Sequence, residues 1–194
     1  MQSKKENILE LFFNYPMKEW HFEEILKEAK ISRSKAHNWL KDFYKQKIIK
    51  RVKPKNKNPY YISNYNGFEY KNKKQLFALN KLYSDKVIQN IIKNKRIKTA
   101  ILFGSFTRSD WNINSDIDIF IYGNISDKDI LKKKNKNIDL FICKNKQELR
   151  KFSGNLMQNV IKGNLIKGNI DFVKVEINVW KGYISGLQKE RFII

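Results

Sequence analysis

Three aspartates stand where strand geometry would gather them. Asp116 and Asp118 flank Ile117 in the run Asp116-Ile117-Asp118-Ile119-Phe120-Ile121. Read as a β-strand, its alternation sends both carboxylates to one face and Ile117 and Ile119 to the other. Asp139 sits at the start of a second apolar run, residues 138–142, so pairing of the two strands would set a third carboxylate beside the first two. Carboxylates crowded on one face repel one another, and the cheapest remedy is one or two divalent cations. Hard oxygen donors suit Mg²⁺ or Mn²⁺. Upstream, Thr99–Phe103 is a third apolar β-type run that stops abruptly at Gly104-Ser105, a turn whose backbone could approach a triphosphate. Ten residues, 106 to 115, separate that turn from Asp116. Acidic strands and a small-residue turn together describe metal-assisted phosphoryl chemistry.

The rest of the chain must position these residues. At 194 residues, with 41% hydrophobic and 13% aromatic content, it can bury a core in each of two ordinary domains. Ile8, Leu11 and Phe12, then Phe22, Ile25, Leu26 and Ala29, then Ala36, Trp39, Leu40 and Phe43 recur at helical spacing, which predicts three short amphipathic helices. Tyr15-Pro16 separates the first two, and Ser32 is placed to cap the third with its hydroxyl. Residues 48–53 and 60–63 then read as strands around the polar tip Pro54–Pro59, the hairpin of a winged helix-turn-helix domain over residues 1–64. Residues 65–96 read as a helical linker. The expected fold class is α+β, with a mixed-sheet domain over residues 97–194. In its tail, Val173, Val175, Ile177 and Val179 alternate as a further strand, edge-paired or exchanged with a second copy, and Trp180, Tyr183 and Phe192 are expected to cover core or an interface.

The 40 Lys and Arg against 19 Asp and Glu give a net charge of +21, a field that attracts phosphate polymers, anionic membranes or acidic proteins. Only six of the basic residues are Arg, and the abundance of Lys, Asn and Ile follows AT-rich codons whatever the function. The third helix nevertheless presents Arg33, Lys35 and Asn38 on its polar face, and the hairpin carries Lys53, Lys55 and Lys57. Residues 41–60 hold eight basic side chains against Asp42 alone, a set that predicts contact with DNA. Cys143 is the only cysteine, so no internal disulfide can form, and its apolar setting predicts a buried thiol. No run approaches the ~18 apolar residues of a membrane span, and MQSKKENILE lacks the apolar core of a signal peptide. A cytoplasmic location without membrane contact is the expectation.

The run LFGSFTRSDWNINSDIDIFI, residues 102–121, resembles the hallmark of the polymerase-β-like nucleotidyltransferases: a Gly-Ser turn, a short helix, then Asp-x-Asp on a strand. The likeness is closest to the minimal archaeal and bacterial nucleotidyltransferases that include antitoxin partners of HEPN-type toxins. It extends to about Gly168, where LMQNVIKGNLIKG is similar to their last helix and strand, and fusions to a winged helix resemble the whole layout. The resemblance implies that Gly104 and Ser105 hold the β- and γ-phosphates of ATP, with Arg108 matching the arginine that often follows the turn. It implies that Asp116 and Asp118 bind both metal ions, and that Asp139 completes the site and helps activate an acceptor hydroxyl. The implied reaction moves AMP from ATP to that hydroxyl, on a toxin protein first, then RNA ends or a small molecule. The alternative is a DNA-binding regulator or antitoxin that keeps the fold to sense nucleotide or hold a partner. Where relatives usually have Gly then Glu, this chain has Ser109-Asp110.

Overall fold

The computed structural model describes residues 3–84, 86–125 and 138–171. The expected strand at 173–179, Trp180, Tyr183, Phe192 and the Lys/Asn run at 132–137 lie outside them.

Helix α1 (Lys4–Asn14) opens with a reciprocal cap, Ser3 with Glu6. It is followed by β1 (Trp20–His21), α2 (Phe22–Ala29) and α3 (Arg33–Lys45), then by the strands β2 (Ile49–Val52) and β3 (Tyr60–Ser63). The strands form an antiparallel sheet in the order β1-β3-β2. Ser32 does stand at the N-cap of α3, but its side chain makes no capping hydrogen bond. Ile8, Phe12, Phe13, Ile25, Leu40, Phe43 and Ile49 close a core between these helices and the sheet.

Residues 68–93 form two helices, α4 (Phe68–Tyr83) and α5 (Lys86–Lys93). The first does more than connect. Tyr70, Phe77 and Ala78 enter the N-terminal core, whereas Leu82 joins the core of the second sheet. One helix therefore contributes to both hydrophobic interiors.

The second sheet contains β4 (Ile97–Phe103), β5 (Ile117–Gly123), β6 (Ile138–Cys143) and β7 (Asn164–Lys167), in the order β6-β5-β4-β7. Among the described strands β5 and β6 run parallel, and β4 is antiparallel to both of its neighbours. Alternation along the strands, interrupted in β4 by irregularities of register, gives the sheet two apolar faces. Ala100, Leu102, Ile117, Ile119 and Ile121 pack with Leu82, Ile88 and Ile91. Ile101, Phe103, Phe120 and Cys143 pack with Val160, Phe152 and Leu156, from α8 (Gly154–Ile161) and the segment after the short helix α7 (Lys146–Leu149). Burial on both faces explains why β4 and β5 read as nearly continuous apolar runs. The Cys143 thiol is fully buried in the second of these layers.

Candidate active site

Strand β4 ends at Phe103, and the chain turns at Gly104 into the single helical turn α6 (Ser105–Arg108). Gly104 has φ +76°, a backbone region that side chains rarely adopt. A second constraint is steric. A Cβ at this position would overlap Asp118 Oδ2 and lie 3.1 Å from its Cγ. The turn and the carboxylate are thus in close contact, and a side chain at position 104 would have to displace the Asp118 carboxylate. The turn is braced from behind: Thr107 Oγ1 donates to the Gly104 carbonyl at 2.9 Å, and Gln75 Nε2 of α4 donates to the Thr107 carbonyl at 3.3 Å.

The acids arrive from adjoining strands. In the parallel register Asp118 pairs directly with Asp139, and such neighbours lie ~4.8 Å apart with side chains on the same face. That face is the one carrying Phe120 and Phe141. The carboxylates therefore stand at the end of an apolar layer, Asp118 half-buried and Asp139 exposed. Asp116 differs from expectation in one respect: it precedes β5, whose first residue is Ile117, and is exposed in the loop. Burial raises the Asp118 pKa above the ordinary carboxylate value, and Asp139 and Asp116 add to the rise by repulsion, with Arg108 opposing. The three acids thus share one electrostatic environment. Among the described residues, no group of three or more His, Cys, Asp or Glu side chains stands close enough to hold an ion. The donor set itself, carboxylate oxygens on adjoining strands beside a side-chain-free turn, fits a hard divalent cation.

Ser105 is half-buried at the start of α6. Arg108 is exposed, its Nε 3.0 Å from Asp110 Oδ2. Between them, Ser109 adopts the left-handed conformation, φ +62°, which a glycine would enter without strain.

Sequence reasoning missed the support beneath this loop. Lys74, on α4, is 1% exposed; its Nζ donates to the Trp111 carbonyl and stands 4.6 Å over the Trp111 ring. Trp111 also meets Phe13 edge-on at 6.2 Å, and Ile113 N donates to the Asn14 carbonyl at 3.1 Å. The segment between turn and acids is therefore docked on the N-terminal half. In a chain so rich in lysine, nothing but the helical register of Tyr70, Lys74, Phe77 and Ala78 signals that Lys74 points inward.

The family model "Polymerase beta, Nucleotidyltransferase" matches residues 85–186, just over half of the chain. The chain belongs to this nucleotidyltransferase family. No curated protein and no solved structure matches it. Nucleotidyltransferase domains of this family take a nucleoside triphosphate and use divalent metal, and the turn and acids described above fall within the matched residues.

The N-terminal residues expected to meet DNA are separated by the structure. Lys35 and Asn38 are exposed on α3, but Arg33 is held by Glu23 at 2.6 Å and lies over the Phe22 ring. Lys53 lines a groove of about 690 Å³ between α3 and the hairpin, shared with Lys41, Lys45, Arg51 and Tyr44. Lys55 and Lys57 lie beside Glu19 and His21 in a different hollow. No helix among the described residues is long and apolar enough to cross a membrane.

Proposed function

We propose that the chain transfers a nucleoside monophosphate, AMP from ATP, to an acceptor hydroxyl with release of pyrophosphate. The observation that carries this reading is the contact between Gly104 and Asp118, because it sets the backbone of the turn against the carboxylate with no side chain between them. Gly104 and Ser105 hold the β- and γ-phosphates, with the exposed Arg108 at hand for a phosphate oxygen. Asp116, Asp118 and Asp139 hold Mg²⁺ or Mn²⁺, which when bound neutralises charge on the phosphates and on departing pyrophosphate. The acceptor oxygen attacks the α-phosphorus, the bond to the bridging oxygen breaks, and Asp139, the most open of the strand-borne acids, takes the hydroxyl proton. A hydroxyl on a HEPN-type toxin protein is the first acceptor by family analogy; RNA ends and small molecules follow. A reaction fed by nucleoside triphosphates belongs in the cytoplasm.

ATP with metal should stabilise the native protein cooperatively, since a ligand of the folded site alone acts by mass action. Asp118→Asn should abolish that shift in a thermal melt. If no nucleoside triphosphate with Mg²⁺ or Mn²⁺ moves the midpoint at millimolar concentration, the site is degenerate.

The basic groove favours a second role beside the first. The N-terminal unit acts as a winged helix-turn-helix that binds DNA, with Lys41, Lys45, Arg51 and Lys53 contacting phosphates and Lys35 and Asn38 reaching further along α3. In that role the transferase fold serves a regulator or antitoxin as its nucleotide-sensing or partner-holding part. Replacing Lys41, Lys45 and Arg51 by Glu should weaken duplex binding and flatten its salt dependence, because fewer counterions are released. An unchanged salt slope removes this role.

A further inference from the structure

The groove of about 690 Å³ between α3 and the hairpin is within the size range of clefts that hold a small ligand. Its two walls follow from the periods of the elements that make them. His37, Lys41, Tyr44 and Lys45 recur at helical spacing and form the α3 wall. Arg51 of β2, Lys53 two residues on, and Tyr61, the cross-strand partner of Arg51, share one face of the hairpin and form the other.

The charge of this groove is of one sign. Lys41, Lys45, Arg51 and Lys53 are exposed, no carboxylate lines the groove, and among the described residues none of the four forms an ion pair. Asp42, the acid nearest on α3, is directed instead to Lys5 of α1 at 3.7 Å. Two other lysine-lined hollows each include an acid, Glu19 in one and Glu69 in the other. The groove also offers an aromatic ring. Tyr44 is 55% exposed, and among the described residues its ring makes no stacking, edge or cation–π contact, whereas the Phe22 ring is covered by the Arg33 guanidinium.

Four unpaired cations repel one another and call for phosphate, and an open ring among them calls for the face of a base. A duplex presents base edges in its grooves, its base faces being covered by stacking. The residues that read those edges stand at the N-terminal end of a recognition helix, where Arg33 is held by Glu23 at 2.6 Å. The cations and Tyr44 stand further along α3, beside the hairpin. We propose that this groove binds a single strand of nucleic acid, with its phosphates on Lys41, Lys45, Arg51 and Lys53 and an unpaired base stacked on Tyr44. The inference rests on reading the groove as a nucleic-acid surface and adds which form enters it. Every base has a π face, so the groove selects for strandedness rather than sequence. DNA and RNA strands share this chemistry.

The test is fluorescence anisotropy of the full-length protein with labelled oligo(dT), oligo(rU), a DNA duplex and an abasic DNA strand, all of equal length and at one salt concentration. At least one of the two intact single strands should bind more tightly than the abasic strand, and the tighter of the two identifies the preferred sugar. Tyr44→Ala should weaken single-strand binding roughly tenfold, the loss of one stacked base, and leave duplex and abasic binding unchanged. Tyr44→Phe, which keeps the ring, should retain wild-type affinity. The position is exposed, so both variants should fold, and a thermal melt checks that they do. A Tyr44→Ala protein that loses nothing on single strands, or loses as much on the duplex and the abasic strand, would overturn the proposal and leave the DNA reading of the groove in place. No binding of any oligonucleotide at low salt would remove both.

Discussion

Burying Lys74 as a cation has a cost that can be read as a function of pH. Burial lowers its pKa from 10.5 to about 8, with Asp110 partly opposing. At 1.36 kcal/mol per pH unit, that difference means the charged ammonium costs the native state about 3 kcal/mol at pH 7. The sign follows from proton binding: between pH 8 and 10.5 the unfolded chain holds more protons, so native stability rises with pH. From pH 7 to pH 10 the rise is about 2.5 kcal/mol. Tyr70, beside Lys74, is raised by burial to about 12; its opposing contribution begins as pH nears 10, trims the rise only at the top of this window, and is shared by wild type and a Lys74 variant. Lys74→Met removes the titration but leaves the buried Trp111 carbonyl without its donor, a loss of roughly 1–3 kcal/mol. The two effects nearly cancel at pH 7, and at pH 10 the variant should be the less stable by about 2 kcal/mol. Urea unfolding followed by tryptophan fluorescence at pH 7, 8, 9 and 10 measures the divergence. Parallel curves for the two proteins would show that Lys74 is not buried as a titrating cation.

Three further outcomes follow from the turn and the acids. Gly104→Ala must move Asp118 or strain the turn, at on the order of 1–3 kcal/mol, and should abolish ATP-induced stabilisation; a variant with wild-type melting and binding would contradict the packing. Ser109→Gly removes a side chain from a left-handed position and should raise stability by about 1 kcal/mol, measured by denaturant midpoint, with no loss of nucleotide binding. Asp118 has a raised pKa, so its ionisation costs stability that is recovered as pH falls through the folded value. Asp118→Asn should therefore stabilise the ligand-free protein at neutral pH and lose that advantage in acid, where equal melting at both pH values would refute the assigned repulsion.

What the sequence made legible is what alternation and turns dictate. β4, the Gly104 turn and β5 follow from apolar period and glycine, and the facing of Asp118 and Asp139 follows once two acid-headed runs pair in parallel. The start of β5 one residue after Asp116 was not legible, because alternation cannot say where hydrogen bonding begins. Pairings across the molecule were hidden for a different reason. Arg33 reads as a free cation until Glu23, ten residues earlier, folds beside it. Lys74 and Trp111, 37 residues apart, meet only because α4 lies against both cores, and neither residue carries a local mark of that contact. The groove at Lys41, Lys45 and Arg51 likewise needs the hairpin to fold against α3 before its charges share one surface.

The most direct test of the central claim follows the label rather than the protein. Wild type and Asp139→Asn are incubated with metal and with α-labelled or γ-labelled ATP, in parallel over RNA oligonucleotides and extracted host protein. The account predicts that wild type retains only the α-label on an acceptor and releases pyrophosphate. Asp139→Asn should still gain thermal stability from ATP while transfer falls by orders of magnitude, the pattern of an interaction made mainly in the transition state. Retention of the γ-label, or transfer by Asp139→Asn at the wild-type rate, would contradict it.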